Sequence, residues 1–449
     1  MLHVTSLQTL NLMKKILFLT LSFASFVAFA QSPMNLEACM RYAVESSYKT
    51  ARAATELDNT KKDYTGAILA HLPSVSGYVG LNSNFGRGID PATNNYVNTT
   101  TFSNDVGLSG KLPVFNGLRY LNQTRSAKIA KIRGEEQLRQ IRDKVAEETM
   151  LAYAEVVYNI ELVELCQKQI ESYKMEEKRM VRLLELGSGS PADLAQIRAT
   201  LASEEYTAIA ARNNLEISTV KLKDCMNFPL DETLVIVPQI TEMEIYLAEQ
   251  TPNDIVAFAL NEHLTAAIEQ RNLKLKKYSL AMARGAYYPS ILLSGGVSTG
   301  YYTSTVSENI PYFKHLDMNL GQWVGFGISV PIFNGLEVRL NVAKAKNNLK
   351  QAQRDHDETL RMLSSEIQQA IMELEAYNSQ WKQAQKNVEY QKIANLANKR
   401  RYEEGTLSII ELQTSDNQLL KSEIELRNAY LRYQIKIREV NYYKGVPYI

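Results

Sequence analysis

The groups able to do chemistry are few in this 449-residue chain, and they are scattered. The five histidines (His3, His71, His263, His315 and His356) have no partner at metal-ligand spacing. Three cysteines, Cys39, Cys166 and Cys225, are too sparse for a disulfide framework and read as free thiols. No His-Glu pair, Cys-x-x-Cys or phosphate loop occurs in a suitable context. The Gly-Ser-Gly-Ser run at 187–190 follows a helical pattern rather than a strand. The expectation is therefore no catalytic site, no cofactor, no metal and no ATPase, so energy would come from a partner. Two acids stand out by position. Asp193 and Glu411 each follow a serine by three residues, and those serines, Ser190 and Ser408, each follow a glycine by three. This is helix-turn chemistry: Gly187 and Gly405 supply a left-handed residue that ends a helix, and the serine caps the next one. Pro191 takes the first-turn position it favours, and Ser408 with Glu411 forms an S-x-x-E capping box.

That glycine-to-acid pattern occurs twice because the chain itself is doubled. Lys111-Leu-Pro-Val-Phe-Asn-Gly-Leu118 returns as Ser329-Val-Pro-Ile-Phe-Asn-Gly-Leu336, so that Pro113, Asn116 and Gly117 match Pro331, Asn334 and Gly335 at an offset of 331 − 113 = 218. Gly187 and Gly405 share that offset, as do Ser190-Pro-Ala-Asp-Leu194 and Ser408-Ile-Ile-Glu-Leu412. Ala70-His-Leu-Pro-Ser74 matches Tyr287-Tyr-Pro-Ser290, with Pro73 and Pro289 at 289 − 73 = 216. The unit is far longer than a solenoid repeat and reads as a tandem duplication.

Each copy contains a long stretch without breakers. No proline lies between Pro113 and Pro191 or between Pro331 and Pro447, and no glycine between Gly335 and Gly405. Apolar residues there alternate at three and four: Leu360, Leu363, Ile367, Leu374, Tyr377, Trp381, Ala384 and Val388, and earlier Tyr153, Val156, Ile160, Val163, Ile170 and Tyr173. That spacing predicts coiled-coil seams. A helix over 118–186 would be roughly 100 Å long, the length of a rod rather than of a globular core.

Period-two segments precede the long helices. Phe102, Val106, Leu108 and Leu112 share one face, and Leu320, Val324, Phe326, Ile328 and Val330 share another. Ser103, Asp105, Gly107 and Ser109, and Gly321, Gly325, Gly327 and Ser329, occupy the opposite faces. This fits barrel strands with lipid outside and water inside, and equally an antiparallel hairpin on a soluble core. Partner strands begin at Pro73 and Pro289, and loops around 86–100 and 302–316, rich in Asn, Thr, Tyr and Gly, are expected to face outward. Four strands cannot close a barrel, which needs an even number from about eight, and lipid does not tolerate open edges. A membrane role therefore requires several copies to share one barrel.

Charge is balanced, with 50 basic against 49 acidic side chains, and gives no reason to expect nucleic acid. Lys14 and Lys15 precede an apolar run at 16–29, and Ala28-Phe29-Ala30 stands before Gln31. That predicts a secretory signal over 1–30, with either Met1 or Met13 as the start. No later run of about 18 apolar residues predicts a spanning helix. The organisation read is a first repeat at 31–236 (strands 73–115, helices 118–186 and 191–228), a linker at 237–252 and a second repeat at 253–449 (strands 289–333, helices 336–404 and 408–443).

The combination resembles the TolC-like outer-membrane efflux family across the whole mature chain. It rests on the doubled P-[VI]-F-N-G-L junction, on Gly187 and Gly405, and on the Arg401-Tyr-Glu-Glu-Gly-Thr-Leu-Ser408 tip. The resemblance implies a mainly α chain with a β-barrel part: a homotrimer whose twelve strands form one barrel in outer-membrane lipid, with a helical tunnel into the periplasm. It implies a small mixed region at the tunnel's middle, formed by 228–252 and the C-terminal tail. It also implies a periplasmic adaptor (membrane fusion) protein and an inner-membrane pump of RND or ABC type as partners. The tips at Gly187, Ser190, Gly405, Thr406 and Leu407 would dock the adaptor, or simply turn the hairpins. A periplasmic gate would use Tyr402, Glu411 and Asp193. The family's basic residue after the second Gly-Thr is Leu407 here, and a further family acid is Thr414. A ring of Glu411 carboxylates would attract cations, although Asp193 and Glu411 equally serve as helix caps. The alternative to a duct is a periplasmic coiled-coil adaptor or structural scaffold.

Overall fold

The computed structural model describes residues 33–89, 94–238, 251–304 and 310–449; the predicted signal at 1–30 and most of the 237–252 linker lie outside them. In chain order the elements are α1 (Leu36–Ser46), α2 (Tyr48–Leu69), β1 (Ser74–Ile89), β2 (Tyr96–Asn116), α3 (Arg119–Glu185) and α4 (Pro191–Met226). The second half gives α5 (Pro252–Glu262), α6 (Leu264–Gly285), β3 (Ser290–Ser304), α7 (Tyr312–Met318), β4 (Gly321–Ser329), α8 (Glu337–Glu403) and α9 (Ile409–Tyr443).

The duplication seen in the sequence is a duplication of backbone. Shifting α1 and α2 by 216 lands on α5 and α6, and shifting α3 by 218 lands on α8. The features at their ends repeat too. Ser47 and His263 are both extended residues whose N–H returns to the helix just ended, on Ala43 and Ala259. Leu118 and Leu336 both take positive φ (62° and 67°), directly after Gly117 and Gly335 at 67° and 62°. Two consecutive left-handed residues form a sharp corner that only a glycine enters without strain. In both copies the P-[VI]-F-N-G-L motif thus ends on this corner. Asn116 completes the first corner by accepting the Tyr120 N–H at 3.3 Å. The break within each leading helix, at Ser47 and His263, had no clear signal because neither proline nor glycine marks it.

The chain divides into two compact units. One contains Thr55–Gln137 and Thr265–Leu360 and holds the sheet. Its strands run in the order β1-β2-β3-β4, all antiparallel. The two hairpins share one register: Ser74 faces Lys111, and the residues 216 and 218 further on, Ser290 and Ser329, also face one another. A register shift between Pro113 and Phe115 falls where proline has no N–H to give to the ladder. Val79, Val106, Leu108, Val297, Val324 and Phe326 lie on one face, which the pairing makes continuous across all four strands. That face is bare: Val324 is 85% exposed. The other face carries Ser76, Ser109, Ser298 and Gly327, with room made for two large rings. A Cβ on Gly107 would meet the Tyr78 ring at 2.8 Å, and one on Gly296 the Trp323 indole at 2.9 Å.

The loop at 302–316 is less open than expected. Its α7 folds back over the outer end of β3, where Thr299 donates to the Leu316 carbonyl and Tyr312 donates to Asn104 at 2.6 Å. Asn319 donates to the Gly300 carbonyl at 2.7 Å, which supplies part of the β3 edge that β4 leaves unpaired.

The other unit contains, among the described residues, 33–54, 138–238, 251–264 and 361–449. Its main core joins Leu36, Met40, Val145, Met150, Tyr153, Leu222, Met226 and Leu431. Met34 pairs with Ile236 in a parallel bridge, its N–H donating to Val235 at 2.9 Å. Of the predicted seams, Tyr153, Val156, Ile170, Tyr173, Leu363, Ile367, Leu374 and Val388 are buried, while Ile160, Val163, Leu360, Tyr377, Trp381 and Ala384 are half-buried. Trp381 stacks on Tyr433 with centroids 5.3 Å apart. Because Ile367 is fully enclosed, Ile367→Val should cost about 0.5–1.5 kcal/mol and Ile367→Ala about 2–5 kcal/mol. Differential scanning calorimetry should show the alanine variant unfolding at the lower temperature.

Candidate gate and docking tips

Two helical turns end the long hairpins, and both are built from the backbone up. After α3, Gly187 at φ 77° lets its own N–H donate to Leu184 and that of Ser188 to Leu183, both at 3.0 Å. After α8, Gly405 at φ 73° does the same: its N–H donates to Tyr402 at 3.0 Å and that of Thr406 to Arg401 at 2.9 Å. The Thr406 hydroxyl adds a bond to the Arg401 carbonyl at 3.0 Å. These are Schellman-type closures that occupy the last carbonyls of each helix.

The two following caps differ. Ser190 Oγ accepts the Asp193 N–H at 3.4 Å, with Pro191 in the first turn. Ser408 Oγ accepts the Glu411 N–H at 3.3 Å, and Glu411 Oε2 in return accepts the Ser408 N–H at 3.0 Å and its hydroxyl at 2.8 Å. These bonds, with the nearby Arg401 guanidinium, hold the Glu411 carboxyl below its ordinary range. Glu411 is fully exposed, so it is available to solvent and ions while it caps α9.

Behind the turns lies a small core of Met180, Ile197, Ile409 and Leu412, with Leu183, Leu194, Tyr402 and Leu407 packed on it. Leu407 therefore has a packing role at the position where the family carries a base. Tyr402 is held in this core with its ring under the Arg179 guanidinium, 5.6 Å from the centroid. Arg179 also bonds Glu176 at 3.4 Å. Burial, followed by the Glu176 and Asp193 carboxylates, pushes the Tyr402 hydroxyl pKa well up, so it stays protonated. Asp193 acts on the Tyr402 hydroxyl only through its charge, while Glu411 sits on the exposed cap. Arg179 and Glu176 were not singled out in the sequence, because a charged pair three residues apart on a helix is usually a solvated face.

Further from the tips is a polar layer that sequence reasoning missed. Asn395 donates to Asp416 at 2.6 Å and to Ser415 at 3.3 Å, and Asn398 donates to Ser415 at 3.1 Å. Gln196 donates to Gln413 at 3.2 Å and joins α4 to α9. Asn395 is only 4% exposed. The signal was present: Asn395 stands one heptad after Val388 on the same seam, where a polar residue fixes register. Among the described residues no cluster of three or more His, Cys, Asp or Glu side chains could hold a metal ion, and no helix is long and apolar enough to cross a membrane.

Sequence comparison decides the family. The profile of the outer membrane efflux protein family matches residues 42–227 and 257–444, one match for each repeat. The chain belongs to this family. It is similar to the outer membrane protein TolC of Escherichia coli K12, at 23% identity over 305 residues covering 65% of this chain and 59% of TolC. It is similar also to the outer membrane efflux protein BepC of Brucella suis, at 22% over 309 residues, 68% of this chain and 62% of BepC. In both cases the matched chain spans less than two thirds of the curated relative's length. The fold superposes on the CmeC outer membrane channel of Campylobacter jejuni with a TM-score of 0.79 and 20% identity, covering 91% of this chain and 85% of that one.

The depressed Glu411 pKa fixes the direction of a pH response. A carboxyl whose pKa is lowered in the folded state contributes its stability above the ordinary glutamate range and loses it as pH falls through the lowered value. Protection of the amides in the first turn of α9, taken relative to the unfolded exchange rate at each pH, should therefore weaken on acidification below that range. Glu411→Ala should weaken it already at neutral pH and remove the acid response, read by hydrogen–deuterium exchange of the peptide spanning residues 408–412.

Proposed function

We propose that the chain is the outer-membrane exit duct of a tripartite efflux or type I secretion system. The observation that carries this reading is the sheet. One chain supplies four strands with a mostly exposed apolar face, an opposite face of small and polar residues that also holds Tyr78 and Trp323, and two strands with a free long edge. Such a sheet is stable in lipid only as part of a closed barrel, with the apolar face outward and water on the other side. Three copies would give twelve strands, an even number compatible with closure. The family membership and the likeness to outer membrane channels support the same reading.

In this duct the work is passive. Solutes pass from an inner-membrane pump of RND or ABC type, through a periplasmic adaptor, into a tunnel lined by the long helices and out through the barrel. The helical tips at Gly187, Ser190, Gly405, Thr406 and Leu407 are the surface offered to the adaptor. Tyr402, under the Arg179 guanidinium, holds the hairpins together at the closed end, with Asp193 an acid beside the constriction. Exposed Glu411, repeated by symmetry, makes a cation-attracting ring. Its capping bonds fix where that charge sits, so the two roles are compatible.

Detergent extraction of an outer-membrane fraction followed by native mass measurement tests the duct. A stable trimer is expected, whereas a monomer in the soluble periplasm overturns it in favour of an adaptor or scaffold. In planar bilayers, Glu411→Ala should lower cation preference and alter single-channel conductance. Unchanged values would remove Glu411 from the gate.

A further inference from the structure

The apolar face of the sheet ends where α7 begins. On β3 that face runs Ile291, Leu293, Gly295 and Val297, about 20 Å along the strand. The next residues on it are Thr299 and Tyr301, and β2 changes nearly in step: Val297 faces Leu108, Thr299 faces Val106, and Tyr301 faces Asn104. β4 stops at the same height. Its ladder with β3 ends at Ser298 opposite Gly321, so residues 299–304 of β3 have no strand on that side.

α7 takes over at that height by bonding both the polar end of the face and the bare edge. On the face, Thr299 donates to the Leu316 carbonyl and Tyr312 donates to Asn104 at 2.6 Å. On the edge, His315 Nδ1 accepts the Tyr302 N–H at 3.4 Å, and Asn319 donates to the Gly300 carbonyl at 2.7 Å. Tyr301 packs on both the Tyr312 and the His315 rings, with centroids 5.0 and 5.3 Å away. Bulk water would satisfy these polar groups unaided, whereas at the border of hydrocarbon they need partners from the protein. Tyr312, His315 and Leu316 thus form the inner side of α7. Phe313 and Met318 are left 82% and 62% exposed, and Leu320 just beyond them is exposed beside Val106 and Val297.

We infer that α7 is an interfacial element lying at the headgroup level of the outer leaflet, with Met318 and Leu320 against the hydrocarbon edge and Phe313 among the headgroups. This rests on the duct reading and places one boundary of the membrane on the chain. Lipid that covers the band at Val79, Val106 and Val297 must abut whatever stands next on the same face, and that is α7. The leaflet is the outer one because α3 leaves the sheet at the opposite end of the strands, through the Gly117 corner. A short helix with exposed apolar side chains lies in an interface and is far too short to span. Aromatic rings such as Phe313 suit headgroup depth. Lys314 and Asp317, on the side turned from the sheet, offset each other in charge, so the contact with lipid is apolar.

Single tryptophans in the full chain, with Trp323 and Trp381 replaced by phenylalanine, read this depth by fluorescence. The protein is placed in phosphatidylcholine vesicles whose acyl chains carry bromine either close to the headgroup or near the chain end. Val324→Trp is the reference within the band, and Asn98→Trp, on the exposed outer part of β2, is the reference in water. Met318→Trp should emit to the blue of Asn98→Trp and be quenched several-fold more by the shallow bromine than by the deep one. Phe313→Trp should show the same order. Water-like, unquenched emission from both, with Val324→Trp still quenched by the deep bromine, overturns the inference and leaves the duct intact. Blue-shifted emission that neither bromine reaches does the same, since it puts protein rather than lipid over α7. Stronger quenching of both by the deep bromine also overturns it, because α7 would then lie inside the hydrocarbon. A Val324→Trp that no brominated lipid quenches overturns the inference and the duct together.

Discussion

Backbone N–H and C=O groups at a sheet edge must find partners, and hydrocarbon supplies none. This requirement governs the structure. Four strands with an exposed apolar face would be a liability in water, since β1 and β4 would template further pairing. In lipid the apolar face is stable and the edges are not. Both difficulties end only when copies close on one another. The build of the sheet follows from that: one face of mostly branched apolar side chains, an opposite face of serines and glycines that make room for Tyr78 and Trp323, and a corner at each strand root that sends the chain from sheet to helix.

Duplication is an economical way to satisfy the requirement. Inside the chain one contact, strand against strand with a glycine corner against a helix end, joins the two repeats. The corners at Gly117 and Gly335 retain the same pair of left-handed residues although only one is covered within the protomer. A conformation costing strain at Leu336 is retained where the chain alone gives no packing in return. That is understandable if the compensating contact comes from another copy.

Much of this was legible in the residues. The repeat, both tips, both corners and the strand faces follow from prolines, glycines and periodicity, which act locally and leave marks in sequence. The seams at Leu363, Ile367 and Leu374 were equally plain, because a period of three and four has no other common cause. What could not be read depends on which side chains meet across elements. The packing of Leu407 into the tip core, the stacking of Arg179 on Tyr402 and the fold-back of α7 onto Asn104 are of this kind. The Asn395 layer is intermediate: its heptad position was visible, but its partner Asp416 on α9 was not.

The two tips share a backbone but are held by different means, and that difference bears on how an aperture there would work. The cap on α9 is a closed hydrogen-bonded box within Ser408 and Glu411, so it travels intact with its own hairpin. The ties between hairpins are of another type: Arg179 over Tyr402, and Gln196 to Gln413. Each is a single cation–π or amide contact of modest strength, on the order of 1 kcal/mol. Parting only the tip of α8 and α9 from the tip of α3 and α4 would break these two contacts and expose the Met180, Ile197, Ile409 and Leu412 cluster, while leaving both turns folded and the Arg427–Glu161 and Tyr442–Asp143 ties further along in place. A gate built this way moves rigid hairpins against a small apolar seal. A binding partner that covers that apolar surface would offset the cost of opening, so docking and opening are coupled through the same side chains.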